Sequence, residues 1–147
     1  MTVINRREPP IVPQELNDSC WAAAIESWSR VEPRIVRQSQ STLISRWGEG
    51  ETGGITPNNK IPIISDALNL QWGGFAGSAL GDYLTQHLPS SHVFCAYSIS
   101  GFLHSVMIYR FSESRNVSYM DPNGGSYRWR SLNWLSNHGP FVLMRKP

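Results

Sequence analysis

The sequence predicts an α+β fold, with helices gathered in the N-terminal part and an antiparallel β-sheet after them. Three observations predict it. Trp21, Ala24, Ile25 and Trp28 recur at the i, i+3, i+4, i+7 spacing of one buried helical face. The period changes to that of strands after Pro89. The apolar runs then follow one another through turn sequences instead of alternating with helices, which excludes a βαβ arrangement.

Each element has its own signal. Asp18 and Ser19 are N-cap residue types, the run Ala22-Ala23-Ala24 favours helix, and Pro33 closes the segment, so Cys20 falls in the first turn of a buried helix. Residues 36–54 are polar and end in the glycine-rich stretch Gly48–Gly54, which reads as a loop. Thr56-Pro57 offers a helix start, but Pro62 limits it, and the helix is predicted over about Ile63–Leu70. Ser78–Leu88 reads as a third helix stopped by Pro89. Strands are predicted at His92–Tyr97, His104–Phe111, Asn116–Met120, Ser126–Arg130 and Pro140–Met144. The near-continuous apolar run after His104 predicts burial on both faces. Ser112–Arg115 and Asp121–Gly125 are turn sequences, and the glycines at 73, 74, 77, 124 and 125 read as turn glycines.

Composition narrows the function classes. A chain of 147 residues suits a single domain spanning 1–147, and 40% hydrophobic with 16% charged residues is a globular balance. Six tryptophans supply much of a well-filled core. The net charge of +2 comes from scattered Lys and Arg, with no basic stripe, so no nucleic-acid partner is expected. Met1–Pro13 is polar and proline-rich, with no apolar run of signal-peptide length, and no stretch is long enough to span a bilayer. A soluble chain without a membrane partner is expected; export would need a signal-peptide-independent route or a larger parent protein. Four scattered histidines and two distant cysteines predict neither a zinc site nor any other cofactor.

The residues with chemistry to offer are fewer. A thiol attacks as thiolate, and a helix N-terminus lowers its pKa, which singles out Cys20. A nearby imidazole must take its proton. Among His87, His92, His104 and His138, only His104 opens a strand whose hairpin partner ends in an acid, Asp121. The midpoint between the two falls inside the Ser112–Arg115 turn, so antiparallel pairing sets them close to opposite. A carboxylate there would fix the imidazole tautomer and stabilise its cation. A one-residue slip in register would undo this. Plainer readings stand beside it. Cys20 also fits an inert core thiol or a Cys20–Cys95 disulfide, and Asp121 fits a simple turn start. His87, His92 and His138 read as loop or surface histidines, His138 being the alternative base. The tryptophans read mostly as core, with one of them a candidate to shield the His104–Asp121 pair.

The segment Gln14-Glu15-Leu16-Asn17-Asp18-Ser19-Cys20-Trp21-Ala22 resembles the nucleophile motif of papain-like cysteine peptidases, in which a glutamine lies six positions before the cysteine and a tryptophan follows it. Gly101–Met107 resembles the histidine strand of that family, and Tyr119-Met120-Asp121-Pro122 the Asp-Pro of its bacterial branches. Those branches include bacteriocin-leader peptidases and compact effector proteases, the Cys-Trp-Ala-Ala-Ala run resembling the latter more. The resemblance implies catalysis by Cys20, His104 and Asp121, with Gln14 as oxyanion donor, through a thioester acyl-enzyme. It implies a protein or peptide substrate, a monomer, and an effector or toxin role with an immunity or chaperone protein as partner. The same residues would also serve a glutamine deamidase, a transglutaminase or a peptidoglycan amidase, or remain as an inactive peptide-binding module.

Overall fold

Seven strands form one antiparallel sheet with helices on both faces, in a computed structural model that describes residues 3–147. Met1 and Thr2, which open the polar N-terminal stretch, lie outside the described residues. The strands are β1 (Ile4–Asn5), β2 (Gln71–Phe75), β3 (Val93–Ile99), β4 (Phe102–Phe111), β5 (Asn116–Asp121), β6 (Ser126–Ser131) and β7 (Phe141–Arg145). Their order across the sheet is β2-β7-β3-β4-β5-β6, and β1 adds to β4 at Arg110 and Phe111, beyond the end of β3.

The helices are α1 (Cys20–Val31), α2 (Gln40–Trp47), α3 (Pro57–Leu68), α4 (Leu80–His87) and α5 (Leu132–Ser136). Alternation along the strands divides the core in two. Trp21, Ile25 and Trp28 of α1 and Ile64 of α3 pack with Phe94, Met107, Met120 and Met144 on one side. Leu80 and Leu84 of α4 and Leu135 of α5 pack with Cys95, Val106, Tyr119 and Leu143 on the other. Since β3 and β4 meet apolar side chains on both faces, their buried runs are continuous, as expected from sequence.

The α+β order stands, with corrections inside it. Residues 36–54 are not all loop: Ser39 accepts a hydrogen bond from the Thr42 N–H at 3.2 Å and starts α2, whose Gln40, Leu43 and Trp47 face inward. Pro62 does not delay α3, because the Asn58 carbonyl it leaves unbonded lies on the exposed side of the helix. Ile61, Ile64, Ser65 and Leu68 make the buried stripe. Residues 77–79 form a 3-10 turn ahead of α4. Gly73 and Gly74 are strand residues, held extended in β2 by pairing with Leu143 and Val142. Strand β1 and helix α5 have no counterpart in the sequence reading.

Candidate active site

Cys20 is the first residue of α1 and is 8% exposed. Ser19 precedes it as N-cap, but its hydroxyl does not cap the helix. It binds the loop instead, meeting the Leu16 backbone and donating to Gln40 Oε1 at 2.9 Å. Gln40 is 2% exposed, and its amide clamps the approach to the helix at two further points. Its Oε1 accepts from the Glu15 N–H at 2.8 Å, and its Nε2 donates to the Pro13 carbonyl at 3.0 Å. Helix α2, absent from the sequence reading, therefore sets the loop that delivers Cys20. Gln40→Ala removes three bonds to the loop and leaves the buried Ser19 hydroxyl without this partner, and we expect a loss of about 2–4 kcal/mol in urea unfolding. A loss below about 0.5 kcal/mol would contradict the clamp.

His104 and Asp121 meet through a register shift. Near the turn, Phe111 faces Val117 and Arg110 faces Ser118. Continued unchanged, that pairing would set Asp121 opposite Met107, on the sheet face His104 does not share. An irregularity at Tyr109 intervenes, after which Ile108 faces Tyr119 and Met107 faces Met120. Asp121 then falls opposite Val106, on the face of His104, two residues along the strand. The hairpin is thus offset from the near-opposite pairing expected, yet the side chains meet: His104 Nε2–H donates to Asp121 Oδ1 at 2.7 Å. Asp121 is 5% exposed, and its Oδ1 also accepts from the Asn123 N–H at 2.9 Å. Arg128 Nε approaches Asp121 Oδ2 at 3.5 Å.

With Nε2 committed to Asp121, Nδ1 is the ring nitrogen left for Cys20, and the two groups shift each other's pKa. Burial opposes ionisation of the thiol and is the largest influence on it. The His104 hydrogen bond and charge and the Ser105 backbone N–H, 3.4 Å from Sγ, outweigh burial and hold the thiol below its ordinary pKa. Burial likewise opposes the imidazolium, but the bonds and charges of Asp121 and Cys20 raise His104 to about 9. Both shifts favour the same state, thiolate beside imidazolium, at neutral pH.

Gln14 borders the same cleft, a cavity of about 730 Å³ that also touches Cys20, His104, Asp121, Arg128 and Phe102. Its backbone N–H donates to Pro122 O at 2.9 Å, stitching its loop to the residue after Asp121. Its Nε2 donates to the carbonyls of Leu16 at 3.0 Å and Asn17 at 2.7 Å, while Oε1 is buried without a partner. Turning the amide over would set Oε1 against two carbonyl oxygens, so its orientation is dictated.

The remaining candidates lie elsewhere. Cys20 and Cys95 are both free, so the disulfide reading is corrected, and burial alone raises the Cys95 thiol far above its ordinary range. His92 is not on the surface: it is 2% exposed and donates Nε2–H to Arg7 O at 2.6 Å. His138 donates Nδ1–H to Trp134 O at 2.6 Å and stacks on that indole. The ring against His104 is Tyr97, edge-on at 5.5 Å between centroids, rather than a tryptophan. Tyr97 is the cross-strand partner of His104 in β3, a signal available to anyone who pairs the two strands about Ser100-Gly101. Among the described residues, no group of three or more His, Cys, Asp or Glu is placed to hold a metal ion, and no helix is long and apolar enough to cross a membrane.

No protein-family profile matches this chain, and no curated protein matches it. Solved structures do. The peptidase domain of Streptococcus ComA, a bi-functional ABC transporter involved in a quorum-sensing pathway, superposes with a TM-score of 0.69 at 15% identity. The match covers 95% of this chain and 99% of that one. The chain therefore has the α+β fold of that domain, in a papain-like arrangement.

Proposed function

We propose that the chain is a cysteine peptidase acting on protein or peptide substrates through Cys20, His104, Asp121 and Gln14. The observation that carries this reading is the 2.7 Å His104–Asp121 bond, made by an imidazole whose charge favours the thiolate of Cys20 at a helix N-terminus. The papain-like fold supports it independently. In the mechanism, the Cys20 thiolate attacks the scissile carbonyl carbon, and the His104 imidazolium protonates the departing amine. Water deprotonated by neutral His104 then releases the acyl group. Asp121 keeps Nε2–H occupied, so that Nδ1 performs both transfers.

The developing oxyanion would be held by the Cys20 backbone N–H and the Gln14 amide, one of whose N–H bonds must turn from its loop carbonyl. Gln14→Ala is expected to lower kcat/KM about 10²–10³-fold, read by progress curves on a cleaved peptide. An unchanged rate would remove Gln14 from the reaction. The Cys-Trp-Ala-Ala-Ala run supports a role as a delivered bacterial effector or toxin.

Terminal proteomics tests the reaction. A target-cell lysate treated with the protein should acquire new protein termini that a Cys20→Ala-treated lysate lacks. Glutamine deamidation would instead add about one dalton without a new terminus, and transglutamination would cross-link, both by the same thioester. Absence of new termini defeats the peptidase reading, and a one-dalton gain or cross-links in their place would leave only the shared thioester chemistry standing.

A further inference from the structure

The leaving-group side of the cleft is cationic. Asp121 faces Ser126 across β5 and β6, Tyr119 faces Arg128, and Val117 faces Arg130, so both arginines share the sheet face of Asp121. Both border the cavity that holds Cys20 and His104. Arg128 reaches Ser126 Oγ at 3.2 Å and Asp121 Oδ2 at 3.5 Å, both through Nε. Neither of its terminal nitrogens hydrogen-bonds a protein atom among the described residues. Arg130 lies over the Trp134 ring, 4.1 Å from its centroid, which holds the guanidinium beside the indole. The acidic residues bordering the cleft are Asp18 and Asp121, and Asp121 is matched by His104. Because His104 must protonate the departing amine, groups reached through it and Asp121 lie on the leaving-group side of the scissile bond.

We propose that Arg128 and Arg130 bind a carboxylate of the substrate on the leaving-group side of the bond that is cut, selecting acidic peptides. The proposal rests on the cysteine-peptidase reading, and an arginine fork with unpartnered terminal nitrogens beside an indole-stacked second arginine is suited to a planar carboxylate. The carboxylate comes from an Asp or Glu side chain or from a chain terminus.

Iodoacetate and iodoacetamide test it on the whole chain. With either reagent the Cys20 thiolate attacks the methylene carbon, a C–S bond forms, the C–I bond breaks and iodide leaves; only iodoacetate carries a carboxylate. The ratio of the two rates at Cys20, followed by mass spectrometry at pH 7, should fall about two- to fivefold in Arg128→Gln and again in Arg130→Gln. Arg130→Lys should keep part of the ratio, and salt should lower it in the wild type. An unchanged ratio in the double Gln variant overturns the proposal. The peptidase reading fails separately, if iodoacetamide reacts with Cys20 no faster than with free cysteine. Two synthetic peptides separate the sources, one with an internal Asp and an amidated end, the other neutral with a free end. Preference for either over a neutral amidated peptide supports the carboxylate site and names its source; no preference overturns it.

Discussion

Cys20→Ala is expected to reduce hydrolysis to background, a loss of about 10⁵–10⁶-fold, while the protein stays folded and still binds substrate. In the proposed mechanism Cys20 supplies the attacking atom. Ser19 and Ser105, its nearest hydroxyl-bearing neighbours in sequence and space, are 0% and 5% exposed, and Ser19 is held in the Gln40 network. Stability should change by no more than about 1 kcal/mol, because two effects oppose each other. The Ser105 N–H loses its acceptor, yet the cost of desolvating a thiolate disappears with the thiolate. Catalysis and folding are therefore separable at this position. Matching urea midpoints for the two proteins, with cleavage in one alone, would bear this out. Persistent Cys20-independent cleavage would move the nucleophile elsewhere.

Helix α1 and strands β3 to β7 are legible in the sequence because one rule, the spacing of apolar residues, decides each of them. The elements that escape it break that rule for local reasons. Strand β2, Gln-Trp-Gly-Gly-Phe, has the residues of a turn; it is a sheet edge whose extended shape comes from β7. Helix α2 shows solvent so polar a face that its three inward positions, one of them a glutamine, do not register as a stripe. Helix α5 has only five residues, too few for a period to emerge.

The site divides in the same manner. Cys20 is local: cap residues and an alanine run suffice to place it on a helix start. The His104–Asp121 contact is not local, since the register beside the turn, continued unchanged, would put Asp121 on the wrong face. The irregularity at Tyr109 restores the parity, and nothing about a tyrosine announces it. Gln40 is less legible still. Its three bonds to the 13–19 loop depend on α2 lying beside α1, a tertiary fact without a sequence period. The arginines of β6 become visible only once β5 and β6 are in register with Asp121.

His104→Ala should lower turnover about 10²–10⁴-fold and, more tellingly, displace the pH profile of Cys20 alkylation toward alkaline pH. Four influences hold the thiol below its ordinary pKa, and two of the largest come from His104. Without them burial, which raises the thiol, is opposed by Ser105 alone, so the pKa climbs and the thiolate fraction at pH 7 falls. In the wild type the signs run the other way at both ends. Reactivity grows as pH climbs through the depressed pKa of Cys20, which supplies the thiolate. Acylation fades as pH climbs through about 9, where His104 loses the proton the leaving group needs. Asp121→Asn isolates the upper limb: an amide oxygen still accepts Nε2–H, but the charge that raises His104 is gone. Its upper limb should therefore move down from about 9 while its lower limb moves little, because Cys20 takes its stabilisation from His104 and Ser105. If the Asp121→Asn profile is superimposable on that of the wild type, the carboxylate has no electrostatic role in the pair, and orientation through Oδ1 is its whole contribution.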